Sequence, residues 1–108
     1  MSVAWIYLIL AILLEVAGTT CMKLSDGFTK ILPSVMMFVL YGASFVSLTY
    51  AIKTIDIGIA YALWAAVGIT LIAIVGILYF KEPVTALKII SIGLIITGVA
   101  GLYLSGTQ

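Results

Sequence analysis

The 108-residue chain is 65% apolar and only 8% charged, and its formal net charge at neutral pH is +1. This composition lies far outside the range of soluble domains and predicts a protein embedded in lipid. The scattered charges form no basic patch for nucleic acid, and a single cysteine without any histidine argues against intramolecular disulfides, metal sites and redox cofactors.

Four apolar stretches, separated by short charged segments, are each long enough to cross a bilayer, which takes about 20 residues. In chain order they are residues 3–22, 31–52, 57–80 and 85–104. Because the segments between them are short, neighbouring helices are expected to run antiparallel. The sequence therefore predicts an all-α bundle of four transmembrane helices in one domain, with no extramembrane part large enough for an enzyme active site.

The first span contains an acidic residue, Glu15, which lies about 10 Å or more along the helix from either end of the span. The span has no basic n-region, so we expect it to remain in the mature protein rather than to be a signal peptide. A carboxylate at this depth costs about 3 kcal/mol to keep charged and usually marks an ion or substrate pathway. The alternative is a protonated side chain that holds a neighbouring helix by a hydrogen bond.

Helical spacing predicts which residues of the first span share a face with Glu15. They are Leu8, Ala11 and Ile12 toward the N-terminus, and Gly18, Thr19 and Met22 toward the other end. The small residues at Ala11 and Gly18 predict open space beside the carboxylate. We therefore expect that a cation larger than a proton fits there.

The second and third spans carry polar and aromatic side chains near the depth of Glu15. Tyr41 and Ser44 are three residues apart, as are Tyr61 and Trp64, so each pair shares one helix face. Because consecutive helices alternate in direction, depth is counted from the side of the membrane where the chain begins. On this count Trp64 lies within about 7.5 Å of the depth of Glu15. A carboxylate among aromatic rings suits an organic cation, because cation–π attraction contributes about 2 kcal/mol when desolvated. Packing of the rings against lipid or a neighbouring helix is the alternative.

The fourth span contains a candidate seam between two copies of the chain. Ser91 and Gly98 are seven residues apart on one face, and small residues let helix backbones approach closely in lipid. Four helices enclose little space, so we expect at least a dimer. Glycine is also common in membrane helices generally, and that is the alternative explanation. Lysines in the first and third loops favour a cytoplasmic position for those loops, although the bias is modest.

Several segments are typical of one family. They are EVAGTTCMKLSDGFTK from Glu15, YGASF from Tyr41, IGIAYALWAAVGI from Ile57 and ITGVAG in the fourth span. Together they resemble the small multidrug resistance family of bacterial inner-membrane exporters, and the resemblance covers essentially the whole chain. It implies a proton-coupled antiporter that works as an antiparallel homodimer, or as a heterodimer with a paralogue.

The resemblance also implies roles for individual residues. Glu15 of both subunits would bind protons and organic cations competitively, so that proton entry drives cation export. The pocket would be lined by Tyr41, Tyr61 and Trp64. Ser44 would tune the carboxylate by hydrogen bonding, and Trp5 stands at a pocket position where multidrug exporters of the family have a tyrosine.

Two branches of the family differ in the residues that follow the glutamate. Gly18, Thr19 and Thr20 resemble exporters of hydrophobic and quaternary ammonium cations, whereas guanidinium exporters typically carry tryptophan at the position of Gly18. The third loop, with Lys81-Glu82-Pro83, resembles the guanidinium branch but is remote from the pocket. The pocket residues therefore favour the multidrug branch, with guanidinium export as the alternative. A further alternative is a small subunit that packs into a larger membrane complex and transports nothing.

Overall fold

A computed structural model describes residues 3–106 of the chain. Within this range the chain forms four helices, α1 (Val3–Leu24), α2 (Ile31–Ala51), α3 (Ile57–Leu78) and α4 (Ala86–Gly106). All four are long and apolar enough to cross a membrane. The predicted architecture of four transmembrane helices is confirmed, and each helix end lies within two residues of its predicted position.

The helices form two compact units, of which the first ends at Asp56 and the second begins at Ile57. The first unit is a hairpin in which α1 packs against α2, and the second is a hairpin of α3 and α4. The interface between α1 and α2 is much the more extensive of the two. A short loop between successive helices leaves antiparallel packing as the simplest arrangement in each unit.

The α1–α2 unit is held together by a stripe of apolar and small side chains. On α1 the buried residues lie one to four positions apart along one helix face: Ala4, Leu8, Ala11, Ile12, Val16 and Gly18. On α2 the buried residues are Met37, Ser44, Ser47 and Ala51. Small residues on both helices allow close backbone approach, which is the main source of contact energy between helices in lipid.

The loop between α1 and α2 is organised by Ser25, which is almost completely buried. Its hydroxyl donates to the carbonyl oxygen of Met22 at 2.7 Å and accepts a hydrogen bond from the backbone N–H of Phe28 at 3.2 Å. Asp26, Gly27 and Phe28 all have positive φ angles. A Ser-Asp-Gly sequence favours a loop because these residue types stabilise tight turns through side-chain hydrogen bonds and left-handed backbone.

The loop between α3 and α4 is tied to the helix on either side. The backbone N–H of Glu82 donates to the carbonyl oxygen of Gly76 at 2.9 Å, and the Glu82 carboxylate lies so close to Gly76 that a Cβ there would collide with it. Thr85 caps α4 by accepting a hydrogen bond from the N–H of Lys88 at 3.1 Å. A side chain larger than glycine at position 76 would therefore require the Glu82 carboxylate to move.

The α3–α4 unit is less tightly packed. An apolar cavity of about 300 Å³ lies between the two helices. It is lined by Leu63, Ala66, Val67, Thr70, Leu71, Ile96, Val99 and Ala100. None of the spanning part of α4 is buried. Most apolar side chains of α4 are exposed, as expected for a helix that faces lipid or a second protein chain.

Candidate cation site

Glu15 lies near the middle of α1, with about 14 Å of helix on its shorter side, and its side chain is half-buried. It is the only acidic residue within the four helices as described. A carboxylate in this position is costly to ionise in lipid, so it favours binding of a proton or another cation. The first feature of the site is therefore a single acidic group on one face of α1.

Ser44 of α2 makes direct contact with α1 on the N-terminal side of Glu15. The Ser44 side chain is fully buried, and its Oγ donates to the carbonyl oxygen of Ala11 at 2.7 Å. In an α-helix the same carbonyl accepts the backbone N–H of Glu15. A serine hydroxyl has one proton, so while this bond holds, Ser44 can meet Glu15 only as an acceptor. The proton of the Ser44 hydroxyl is therefore engaged by the backbone of α1 one turn before Glu15.

Tyr41 of α2 contacts α1 on the C-terminal side of Glu15. Its hydroxyl lies 2.6 Å from Oγ1 of Thr19, and this is a hydrogen bond in which either oxygen can donate. Its ring lies on Gly18, where a Cβ atom would come within 2.6 Å of the ring atoms Cδ1 and Cε1. Glycine at this position is therefore required for the ring to lie where it does.

The two contacts between α1 and α2 lie on either side of Glu15. Ala11 precedes Glu15 by four residues and Thr19 follows it by four, so all three share a face of α1. The expectation of open space at the small residues was wrong, because Ala11 is fully buried and the Tyr41 ring occupies the space at Gly18. The small residues instead let α2 approach α1 closely. Ser44 and Tyr41 of α2 then contact the turns of α1 before and after the carboxylate.

Replacing Gly18 by alanine is expected to destabilise the α1–α2 unit by about 1–3 kcal/mol, because the added methyl group would displace the Tyr41 ring. Gly42→Ala is the matched control, since a Cβ at Gly42 has no atom within 4 Å. The control is expected to be neutral or slightly stabilising. Thermal unfolding in a mild detergent measures both variants, and equal melting temperatures would contradict the packing that we describe.

The other predicted pocket residues of α1 lie nearer its N-terminus. Leu8 is almost completely buried, and Trp5 is half-buried about 15 Å along the helix from Glu15. On the same end of the hairpin, Tyr7 stacks on Tyr50 with ring centroids 5.3 Å apart, and the Lys53 ammonium lies 5.8 Å from the Tyr50 centroid. The Tyr50 ring at this end therefore contacts a cation of the chain itself, the Lys53 ammonium.

The predicted aromatic residues of α3 belong to the second unit. Tyr61 is 71% exposed and Trp64 is half-buried, one turn further along the same face. Gly68 lies one turn beyond Trp64, and a Cβ there would be 3.8 Å from the indole Cδ1, an ordinary contact. The α3 rings are therefore accessible to a ligand to different degrees, Tyr61 more than Trp64.

On α4, both residues of the predicted seam are exposed. Ser91 and Gly98 lie on the outer surface of the second unit, and a Cβ at Gly98 would meet no atom within 4 Å. Across residues 3–106, no group of His, Cys, Asp and Glu side chains is arranged to hold a metal ion. Besides the Cys21 thiol and the amines of Lys23 and Lys88, the chemistry available in the described helices is that of one carboxylate, several aromatic rings and hydroxyl groups.

Comparison with known proteins decides the family. A family profile described as Small Multidrug Resistance protein matches residues 3–95. The chain belongs to the small multidrug resistance family. Consistent with that membership and with the four apolar helices, this small multidrug resistance protein is a multi-pass protein of the bacterial inner (cell) membrane.

Several curated relatives in the small multidrug resistance family are similar to this chain over nearly their whole length. The uncharacterized membrane protein YvaE of Bacillus subtilis is 55% identical over 100 residues, which are 93% of this chain and 84% of YvaE. The quaternary ammonium compound-resistance protein QacF of Klebsiella aerogenes is 42% identical, covering 93% of this chain and 91% of QacF. The quaternary ammonium compound-resistance protein QacC of Staphylococcus aureus is 41% identical, covering 96% of this chain and 97% of QacC.

Proposed function

We propose that this chain is a proton-coupled antiporter that exports hydrophobic and quaternary ammonium cations, and that it is a transporter rather than an enzyme. Glu15 binds either a proton or the organic cation. Entry of protons down their gradient then drives the cation out of the cell. Membership of a family whose relatives include quaternary ammonium resistance proteins supports this assignment.

The observation that carries the proposal is the position of Glu15 in the middle of an apolar helix. A carboxylate at that depth is costly to keep ionised without a positive partner. It therefore exchanges one bound positive species for another, and the unpaired charged state is disfavoured. Because both species need the same group, binding of one excludes the other. This competition is the physical basis of coupled exchange.

The contacts of the α1–α2 unit support a role for Glu15 in binding. Ser44 and Tyr41 brace the turns before and after the carboxylate, so its backbone position is fixed while its side chain changes partner. Tyr61 and Trp64 are proposed to supply π faces for the cation, because aromatic rings attract organic cations without demanding one shape. A site of this kind accepts a range of hydrophobic cations.

We further propose that the working unit is an antiparallel homodimer, or a heterodimer with a paralogue. No residue in the spanning part of α4 is buried, and its small residues Ser91 and Gly98 lie on the surface. Backbones can approach closely at such residues. The modest lysine bias between the loops is compatible with insertion in both orientations, which an antiparallel dimer requires.

A transport assay in proteoliposomes tests the proposed function. Vesicles with a proton gradient are loaded in turn with tetraphenylphosphonium, a quaternary ammonium compound and guanidinium. We expect proton-driven movement of the first two and at least about tenfold slower movement of guanidinium, a difference of about 1.4 kcal/mol in favour of the hydrophobic cations.

The same assay separates the alternatives. A preference for guanidinium would assign the chain to the guanidinium branch, which the third loop resembles. No proton-driven movement of any cation, by protein shown to be folded in the vesicles, would overturn the proposal and favour a non-transporting subunit.

A further inference from the structure

The hydroxyl of Thr19 makes a hydrogen bond of a different kind from those of the other helix threonines. Within the described helices the other four each donate to the carbonyl oxygen four residues earlier on their own helix. They are Thr20, Thr49, Thr70 and Thr97. Thr19 instead bonds across to α2, at 2.6 Å from the hydroxyl of Tyr41. This bond joins the two helices rather than reinforcing one.

The same bond fixes the position of the Tyr41 ring. With its hydroxyl held by Thr19 and its edge resting on Gly18, the ring is restrained at two points. Gly18 and Thr19 follow Glu15 by three and four residues, so the ring covers the turn of α1 next to the carboxylate. A cation bound at Glu15 would therefore have the Tyr41 ring beside it.

A cavity lies beneath the first loop. Its volume is about 530 Å³, and Thr19, Met22 and Phe28 contribute to its walls. Thr19 thus stands between the loop cavity and the turn that carries Glu15. Thr19 is therefore both a wall residue of this cavity and the hydrogen-bond partner of Tyr41.

We propose that Thr19 is a positioning residue that holds the Tyr41 ring as one fixed wall of the cation site, and thereby favours bulky aromatic cations over compact ones. The inference rests on the proposed function and deepens it. A wall that is already ordered costs no conformational entropy when a ligand packs on it. A large aromatic cation touches that wall, whereas a compact cation reaches the carboxylate without it.

The test compares binding of tetraphenylphosphonium and tetramethylammonium by calorimetry, with the full chain in lipid vesicles. Thr19→Val keeps the shape of the side chain and removes its hydroxyl. We expect it to weaken tetraphenylphosphonium binding by about three- to tenfold, the effect of one hydrogen bond, and to leave tetramethylammonium within about twofold. Thr19→Ser, which restores the hydroxyl, is expected to recover the affinity for the large cation.

A double mutant and a neighbouring threonine supply the controls. Tyr41→Phe removes the other end of the same bond, so it should act like Thr19→Val, and the double mutant should be no weaker than either. Thr20→Val removes a hydroxyl that bonds only within α1 and should change neither affinity. Melting temperatures of all variants show that each is folded.

The outcomes distinguish this inference from the function on which it rests. If wild type binds both cations but Thr19→Val behaves like Thr20→Val, the positioning role is wrong and the transport proposal stands. Additive effects in the double mutant, or equal weakening for both cations, would also overturn the positioning role. Failure of wild type to bind either cation would overturn the proposed function, and this inference with it.

Discussion

Glu15→Gln is expected to lower proton-driven export of tetraphenylphosphonium by about 100-fold or more, because glutamine cannot carry the charge that a cation and a proton compete for. The two side chains have nearly the same shape, so α1 should insert and pack as before. Proteoliposomes with an imposed proton gradient measure the transport, and binding of the cation without a gradient shows whether the site itself is lost.

Glu82→Gln is the matched control for this experiment. It removes a carboxylate of the same kind from the loop between α3 and α4, outside the helices. Export by that variant should stay within about twofold of wild type, less than the effect of one hydrogen bond. Robust proton-driven export by Glu15→Gln, or an equal loss in both variants, would contradict the central role of Glu15.

Trp64→Leu is expected to weaken binding of tetraphenylphosphonium by about 10- to 30-fold, because a desolvated cation–π contact contributes about 2 kcal/mol. Leucine keeps the helix apolar and removes the π face. Trp64→Phe retains a smaller π face and should fall between leucine and wild type. Calorimetry with the protein in lipid vesicles gives the dissociation constants without relying on the fluorescence of the residue that is changed.

A second aromatic residue separates a specific contact from a general loss of aromatic surface. Phe38 of α2 is exposed, stacks on Phe28 of the first loop and is assigned no role in binding the cation. Phe38→Leu should leave the affinity unchanged within about twofold. If Trp64→Leu and Phe38→Leu weaken binding equally, Trp64 does not contact the cation.

The helices themselves could be predicted because their length and composition are local properties. Charged segments and the Ser25-Asp26-Gly27 signal separate stretches that are each long enough to span a bilayer, and all four were found. The helix ends were predicted less accurately, because they depend on side-chain and backbone contacts that the helix propensity of the residues does not describe. α4, for example, begins one residue later than predicted because the Thr85 side chain serves as its cap.

The individual site residues were harder to interpret. Glu15 was evident from sequence because a lone acid in an apolar span is costly wherever the other helices lie. The small residues Ala11 and Gly18 were expected to leave open space, and this was wrong. Helical periodicity shows which residues share a face, but it does not show what the neighbouring helix places against that face.

The sequence alone determined the class of protein, the number of membrane spans and the one carboxylate around which a cation site is proposed. Those follow from hydrophobicity, which each residue carries independently of the fold. Only the tertiary structure decided that Ser44 bonds Ala11 and that Tyr41 bonds Thr19 over Gly18. These contacts depend on how α1 and α2 are rotated and shifted relative to each other. The same hydrophobic pattern is compatible with many close packings of small residues, so it does not select one of them.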